Sequence, residues 1–148
     1  MGDRYCVGFT GFRDDDVENP ERRVWLYSHW GGNVRHREIA EAIERARPRW
    51  SDPTYATRIA ISSIVADGWK EETGFGIEAG PRCLTGVEYG AILVNWSEKT
   101  VTEFAYDGWV KEVLETLGFE DDETDSEIVS VTTFDEFTAS HRVAEEVK

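Results

Sequence analysis

The sequence predicts an α+β fold, in which an antiparallel or mixed sheet packs two adjacent helices on one face and carries a C-terminal helix. Several short segments alternate apolar and polar residues or are rich in β-branched and aromatic residues, which is typical of strands. Two consecutive segments between them repeat apolar residues at helical spacing. No repeat, low-complexity tract or linker interrupts this order, so we expect a single domain over residues 1–148.

Two strands are expected first. Residues 3–12 alternate in polarity, and an acidic loop follows them. Residues 22–30 are β-branched and aromatic, and both faces of this segment are apolar, which predicts an inner strand. Gly31 and Gly32 are expected to end it.

The two adjacent helices are predicted next. The first begins after Asn33, a plausible N-cap, and ends at Pro48. The second begins at Asp52, whose carboxylate can accept hydrogen bonds from free backbone amides, with Pro53 at its first position, and it extends to about Ala66. Two stripes are candidates for its buried face: Tyr55, Ile59 and Ser63, or Ala56, Ala60 and Ile64.

The second half of the chain is expected to contain four further strands and two helical segments. The strands are predicted at residues 74–78, 88–96, 100–106 and 128–133. A helix is predicted over residues 109–117, with Gly118 in a left-handed C-terminal cap. The carboxylates of residues 120–127 lack the spacing of an EF-hand and predict a solvated loop. Residues 134–148 are expected to form a short helix or a frayed tail.

Composition narrows the classes of protein. A 40% apolar and 12% aromatic content is too high for a disordered chain, despite the net charge of -14. That charge argues against binding to bulk nucleic acid or to an anionic membrane, since both need a basic contact surface. The chain has neither a signal-peptide pattern nor a long apolar run, so a cytoplasmic location is expected. Cys6 and Cys83 are interpreted as buried free thiols, with a disulfide or a metal site as alternatives.

Charge placement is the most informative feature. The segment 22–58 contains eight arginines, no lysine and four acidic residues, a net charge of +4, so the rest of the chain carries -14 minus 4, or -18. These arginines are Arg22, Arg23, Arg35, Arg37, Arg45, Arg47, Arg49 and Arg58. Arginine can hold a phosphate or a carboxylate through two hydrogen bonds and can stack on aromatic rings. The segment is therefore a candidate site for an anionic ligand.

Aromatic residues and glycines lie beside these arginines. The glycines would let backbone amides approach a ligand, and the helix that follows would direct its free N–H groups toward an anion. The predicted ligand-binding residues are His29, Trp30, Gly31, Gly32, Arg47, Arg49, Trp50, Tyr55 and Arg58. The competing interpretation is that the arginines pair with carboxylates on solvated helix faces, as the spacings of Glu41 to Arg45 and Glu44 to Arg47 allow.

Catalysis is not favoured. His29 could act as a general acid or base, but the sequence identifies no partner for it. No metalloprotease, redox or phosphoryl-transfer motif occurs. No catalytic residue, metal ligand or cofactor is therefore assigned.

The segments YSHWGG and RWSDPTYATRI resemble small uncharacterised proteins of actinobacterial phages and prophages, and the similarity covers residues 22–96. The resemblance carries no catalytic residues. It implies a small accessory phage protein that acts in the cytoplasm of a bacterial host cell.

The leading hypothesis is a protein that binds and sequesters a small phosphate-bearing nucleotide, such as a cyclic or ADP-ribose-derived host immune signal, and so acts against host defence. The expected partner is a small anionic nucleotide-like ligand, and a homo-oligomer is compatible with this role. One alternative is an acidic inhibitor or DNA mimic that binds a host protein through its carboxylates. Another is a small hydrolase or phosphodiesterase that uses His29.

Overall fold

The computed structural model describes residues 3–12, 17–83, 89–105 and 128–141. These residues form an α+β fold with a mixed six-stranded sheet, which confirms the predicted class. The strands are β1 (Tyr5–Thr10), β2 (Val24–Ser28), β3 (Phe75–Ala79), β4 (Ile92–Asn95), β5 (Thr100–Phe104) and β6 (Ile128–Thr133). The described α-helices are α1 (Arg35–Arg45), α2 (Pro53–Val65) and α3 (Phe134–Ser140). The predicted helix over 109–117 and loop over 120–127 lie outside the described residues.

The strands are arranged in the order β3-β2-β1-β4-β5-β6. Strand β1 pairs with β4 in parallel, and every other pairing is antiparallel. Strand β2 lies between β3 and β1, which confirms that it is an inner strand. All six residues of β1 are buried, because this strand lies inside the sheet with packed layers on both faces.

The main core lies between the helices and one face of the sheet. Alternate residues of β1, Tyr5, Val7 and Phe9, point toward the helices, as do their neighbours on the adjacent strands. Helix α2 contributes Ala56, Ala60 and Ile64, so the second of its two candidate stripes is the buried one. Tyr55 is consequently exposed.

The opposite face of the sheet carries a second cluster around Trp25. Its indole packs over Gly8, where a β-carbon would collide with the ring. Cys6 and Cys83 belong to this cluster and form a disulfide, with their Cα atoms 6.7 Å apart. The expectation of two free thiols is therefore wrong. Burial was predicted correctly, but residues 77 positions apart give no sequence signal of their pairing.

Two predicted helix caps differ in the structure. The chain makes a 3₁₀ turn over Gly32–Val34, so α1 is preceded by Val34 instead of being capped by Asn33. Asp52 does occupy the N-cap of α2, but its side chain makes no capping hydrogen bond. Helix α3 has a capping box between Thr133 and Glu136, which explains its start directly after β6. Within the described ranges, no helix combines the length and apolar composition that a bilayer span requires.

Candidate ligand-binding site

The predicted residues at the end of β2 surround a tight glycine turn. Gly31 has a φ of 86°, a left-handed conformation that glycine adopts without strain. The His29 ring shares a hydrogen bond of 2.9 Å with the Tyr27 hydroxyl and meets the half-exposed Trp30 ring edge-on, with 4.7 Å between ring centroids. The structure therefore brings His29, Trp30, Gly31 and Gly32 together.

The backbone amides at this turn already hold a carboxylate. The amide of Asn33 donates to Oδ2 of Asp3 at 2.8 Å, and the Tyr89 hydroxyl donates to Oδ1 at 2.6 Å. The amide of Gly32 donates to the Asp3 carbonyl at 2.8 Å. The hydrogen bond from Tyr89, followed by that from the Asn33 amide, holds the pKa of the Asp3 carboxyl below its usual value. Asp3 thus takes the position that an external anion was expected to take.

A second carboxylate lies beside the same glycines. Glu38 accepts a hydrogen bond of 3.1 Å from the Tyr5 hydroxyl, and a β-carbon on Gly31 would lie 3.0 Å from its Oε1 atom. Burial raises the pKa of Glu38. The nearby Arg35 guanidinium donates to the Gly32 carbonyl and stacks on Tyr89, 4.1 Å from its ring centroid. Two carboxylates beside one guanidinium make this turn a poor site for a further anion.

Arg47 and Trp50 join elements of the fold. The Arg47 guanidinium makes two hydrogen bonds to Glu44, at 2.7 and 2.9 Å, and a third to Asp135 on α3 at 3.0 Å. It also lies 4.2 Å from the centroid of the Trp50 ring. The indole of Trp50 donates to the Ile43 carbonyl and packs edge-on against Phe134. Both side chains are thus engaged in packing α3 against the end of α1.

The remaining predicted residues form an exposed basic and aromatic surface at the start of α2, which we call the Arg49–Arg58 surface and define as Arg49, Tyr55 and Arg58. Tyr55 is 54% exposed, and the Arg49 guanidinium lies 5.2 Å from its ring centroid. Arg58 is three residues beyond Tyr55, on the same helix face. Neither arginine forms an ion pair with any residue in the described ranges.

The glycine turn and the Arg49–Arg58 surface lie at opposite ends of α1. This helix has 11 residues, which corresponds to a length of about 16 Å at roughly 1.5 Å per residue. The nine predicted residues therefore fall into three groups: the four residues of the glycine turn, Arg47 and Trp50 at the contact with α3, and the three residues of the Arg49–Arg58 surface. The Arg49–Arg58 surface is the group whose arginines are available.

The structure also assembles a cluster that the sequence analysis missed. Nε2 of His36 on α1 donates to Oε1 of Glu103 on β5 at 2.6 Å. His141, directly after α3, stacks on His36 with 4.8 Å between ring centroids. The His36 hydrogen bond is the main cause that lowers the pKa of Glu103, whereas burial, followed by the charge of His36, lowers the pKa of His141.

This cluster links α1, β5 and the end of α3. Glu103 lies 67 residues and His141 lies 105 residues from His36 along the chain, so no local motif signals this cluster. One signal was available. Glu103 lies two residues after the buried Val101 in β5, so both side chains are on the helix-facing side of the sheet, where a carboxylate needs a partner. Among the described residues, no group of three or more histidines, cysteines and carboxylates is arranged to hold a metal ion.

Comparison with known proteins adds no further assignment. No family model matches the chain, and no curated protein or solved structure matches it significantly.

Proposed function

We propose that the protein binds a small phosphate-bearing nucleotide at the Arg49–Arg58 surface and holds it without chemical change. The observation that carries the proposal is a pair of exposed arginines, free of ion pairs within the described residues, that precede and follow an exposed tyrosine in the chain, with the Arg49 guanidinium over the tyrosine ring. Guanidinium groups bind phosphate oxygens through paired hydrogen bonds, and a tyrosine ring can stack on a base.

Arg49 already covers the Tyr55 ring. A base that stacks on Tyr55 displaces this guanidinium, which then points toward solvent and can bind the phosphate. Arg58, one helical turn away, supplies the second cation. The site therefore selects ligands in which a ring and a phosphate are close together.

Binding without hydrolysis is favoured over the alternative of a hydrolase, because His29 contacts the hydroxyl of Tyr27 and the ring of Trp30 rather than a carboxylate. Together with the resemblance to accessory phage proteins, this supports sequestration of a cyclic or ADP-ribose-derived host signal in the bacterial cytoplasm. The acidic inhibitor is a different class of function, and all the carboxylates of 112–127, on which it chiefly depends, lie outside the described residues.

The test is a binding titration with AMP, ADP-ribose and cyclic dinucleotides, using inorganic phosphate as the reference anion. We expect saturable binding of at least one nucleotide. Arg49→Ala and Arg58→Ala should each raise its Kd about tenfold, equivalent to roughly 1.4 kcal/mol. Tyr55→Ala should weaken binding of the nucleotide but not of phosphate, because only the nucleotide stacks.

Arg45→Ala is the matched control, since Arg45 is also an exposed arginine on the same helical pair but lies beside Glu41. It should leave the Kd unchanged. Heating the complex should release intact ligand, whereas an altered product would mean an enzyme. An affinity that neither Arg49→Ala nor Arg58→Ala changes would rule out this site.

A further inference from the structure

An apolar groove lies between β3 and the C-terminal end of α2, away from the Arg49–Arg58 surface. It encloses a cavity of about 470 Å³. Its main apolar lining residues are Leu26, Ile61, Val65, Trp69, Phe75 and Ile77. Trp69 is 72% exposed and Ile77 is 63% exposed, so large apolar side chains border the groove without being covered. Such exposure on a strongly charged protein marks an interaction surface.

The groove runs along an edge of the described sheet. Strand β3 pairs with β2 on one side and with no described strand on the other. The Gly74 carbonyl accepts from the amide of His29, and the Gly80 amide donates to the carbonyl of Arg23, the residues on either side of β2. In this antiparallel register the residues between them at odd positions, Phe75, Ile77 and Ala79, direct their N–H and C=O groups to the open edge. The side chains of Phe75 and Ile77 face the groove. A strand added here would pair with the backbone and insert alternate side chains into the cavity.

Strand β3 contains neither of the two residue types that most often block an open edge. Its sequence FGIEA contains neither lysine nor proline. A β-carbon on Gly76 would meet no atom within 4 Å, so the other face of the strand is also accessible. At the end of α2, Ala66 borders the groove with a φ of 47° and a ψ of -127°, a conformation that residues other than glycine rarely adopt and that is concentrated at binding surfaces.

The rim of the groove is acidic. The segment 67–72 carries exposed carboxylates at Asp67, Glu71 and Glu72 and one exposed ammonium group, that of Lys70. Glu71 lines the cavity itself. A basic segment complements this rim, whereas a second copy of the chain would bring two molecules with a charge of -14 together.

We propose that β3 accepts an extended segment of a partner protein, which adds to the sheet as a further edge strand. Apolar residues at alternate positions of this segment fill the groove between β3 and α2, and lysines or arginines between them contact the acidic rim. Backbone hydrogen bonds give affinity in this mode of recognition, and the groove gives specificity. The proposal is independent of nucleotide binding.

The test uses ten-residue fluorescent peptides in which lysine alternates with valine, leucine, isoleucine or phenylalanine, and fluorescence anisotropy as the readout. We expect at least one peptide to bind saturably. Replacing its lysines with glutamate, or N-methylating alternate amides on the edge that faces β3, should weaken binding at least tenfold. The N-methylated peptide keeps every side chain and so isolates the contribution of strand pairing.

Ile77→Asp and Trp69→Ala should each weaken binding tenfold or more, and both positions are exposed enough for the variants to fold. The matched control is Val131→Asp, an equally exposed apolar position on β6 at the other edge of the described sheet. Absence of binding by every peptide, or binding that both groove variants leave unchanged, overturns the proposal. So does a dimer in sedimentation equilibrium that Ile77→Asp dissociates, which would identify a second copy as the occupant.

Discussion

Asp3 shows how one residue can alter the interpretation of a motif. The glycine turn at Gly31 and Gly32 presents backbone amides as an anion site requires, but Asp3 already accepts from two of them: its carboxylate from the amide of Asn33 and its backbone carbonyl from the amide of Gly32. The backbone geometry was therefore predictable from the glycines. The occupant was not, because Asp3 and Asn33 are 30 residues apart and meet only when β1 pairs with β2.

The arginines show the same limit. Sequence spacing correctly indicated that Arg45 and Arg47 pair with Glu41 and Glu44 of α1. The contact of Arg47 with Asp135, 88 residues away, depends on how α3 packs and has no local signal. Arg49 and Arg58 were already predicted ligand contacts, and they form no ion pair with the described residues.

A pH prediction follows from His141. Its pKa in the folded protein lies below the ordinary value of 6.5, so the unfolded chain takes up a proton that the folded chain resists. The contribution of His141 to the free energy of unfolding is therefore fully present above pH 6.5. It falls as the pH drops through this value. His141→Gln should reduce the loss of stability between neutral and mildly acidic pH, measured by urea unfolding across that range.

Glu103 is an acid and His141 is a base, but the lowered pKa of each makes the folded protein less stable as the pH falls. The pKa of Glu103 is lowered from 4.5, so its contribution is present above pH 4.5 and is lost at lower pH. The two groups thus act in separate windows. Identical pH profiles for His141→Gln and the unmodified protein above pH 5 would contradict the role assigned to His141.

At the scale of elements, local patterns predicted most of the strands and helices. Residues 128–133 form β6 as predicted, because this segment is rich in β-branched residues. Pro53 marks the start of α2 for a local reason as well. The mixed character of the sheet was left open, since the parallel pairing of β1 with β4 depends on residues such as Val7 and Ile92, which are far apart in the chain.

The disulfide joins Cys6 on β1 to Cys83, which follows β3 in the chain. It closes a loop of 77 residues, and reducing such a bond should lower the free energy of unfolding by about 2–4 kcal/mol. Urea unfolding with and without a reductant measures this difference. The Cys6→Ala, Cys83→Ala double variant should be insensitive to the reductant.

Thiol titration of the denatured protein, without reductant, is the direct check, and two reactive thiols would contradict the bond. Cytoplasmic thiols are kept reduced. Alkylating the protein inside cells before purification therefore distinguishes a bond formed in the cell from one formed afterwards.

At the scale of the whole molecule, the net charge of -14 opposes compaction. Raising NaCl from about 0.01 M to about 1 M shortens the screening length from roughly 30 Å to roughly 3 Å. We expect the melting temperature to rise by about 3 °C for each kcal/mol of repulsion that is removed. Thermal unfolding followed by circular dichroism measures the shift.

KCl should have the same effect as NaCl, since screening depends on ionic strength and not on the identity of the cation. The double variant Glu71→Gln, Glu72→Gln removes two exposed carboxylates and should melt at a higher temperature in low salt. A melting temperature that is unchanged or lower in high salt would show that repulsion does not limit stability.

The single parallel pairing has a consequence for the order of folding. The described elements on one side of this pairing are consecutive in the chain: β1, β2, α1, α2 and β3. Those on the other side are also consecutive: β4, β5, β6 and α3. Each set is antiparallel within itself, but β1 and β4 meet across more than half of the chain, as in Val7 opposite Ile92. Closing such a long loop is slow relative to forming hairpins. We therefore expect the two sets to form separately and to join last along the centre of the sheet, which makes this junction the rate-limiting step.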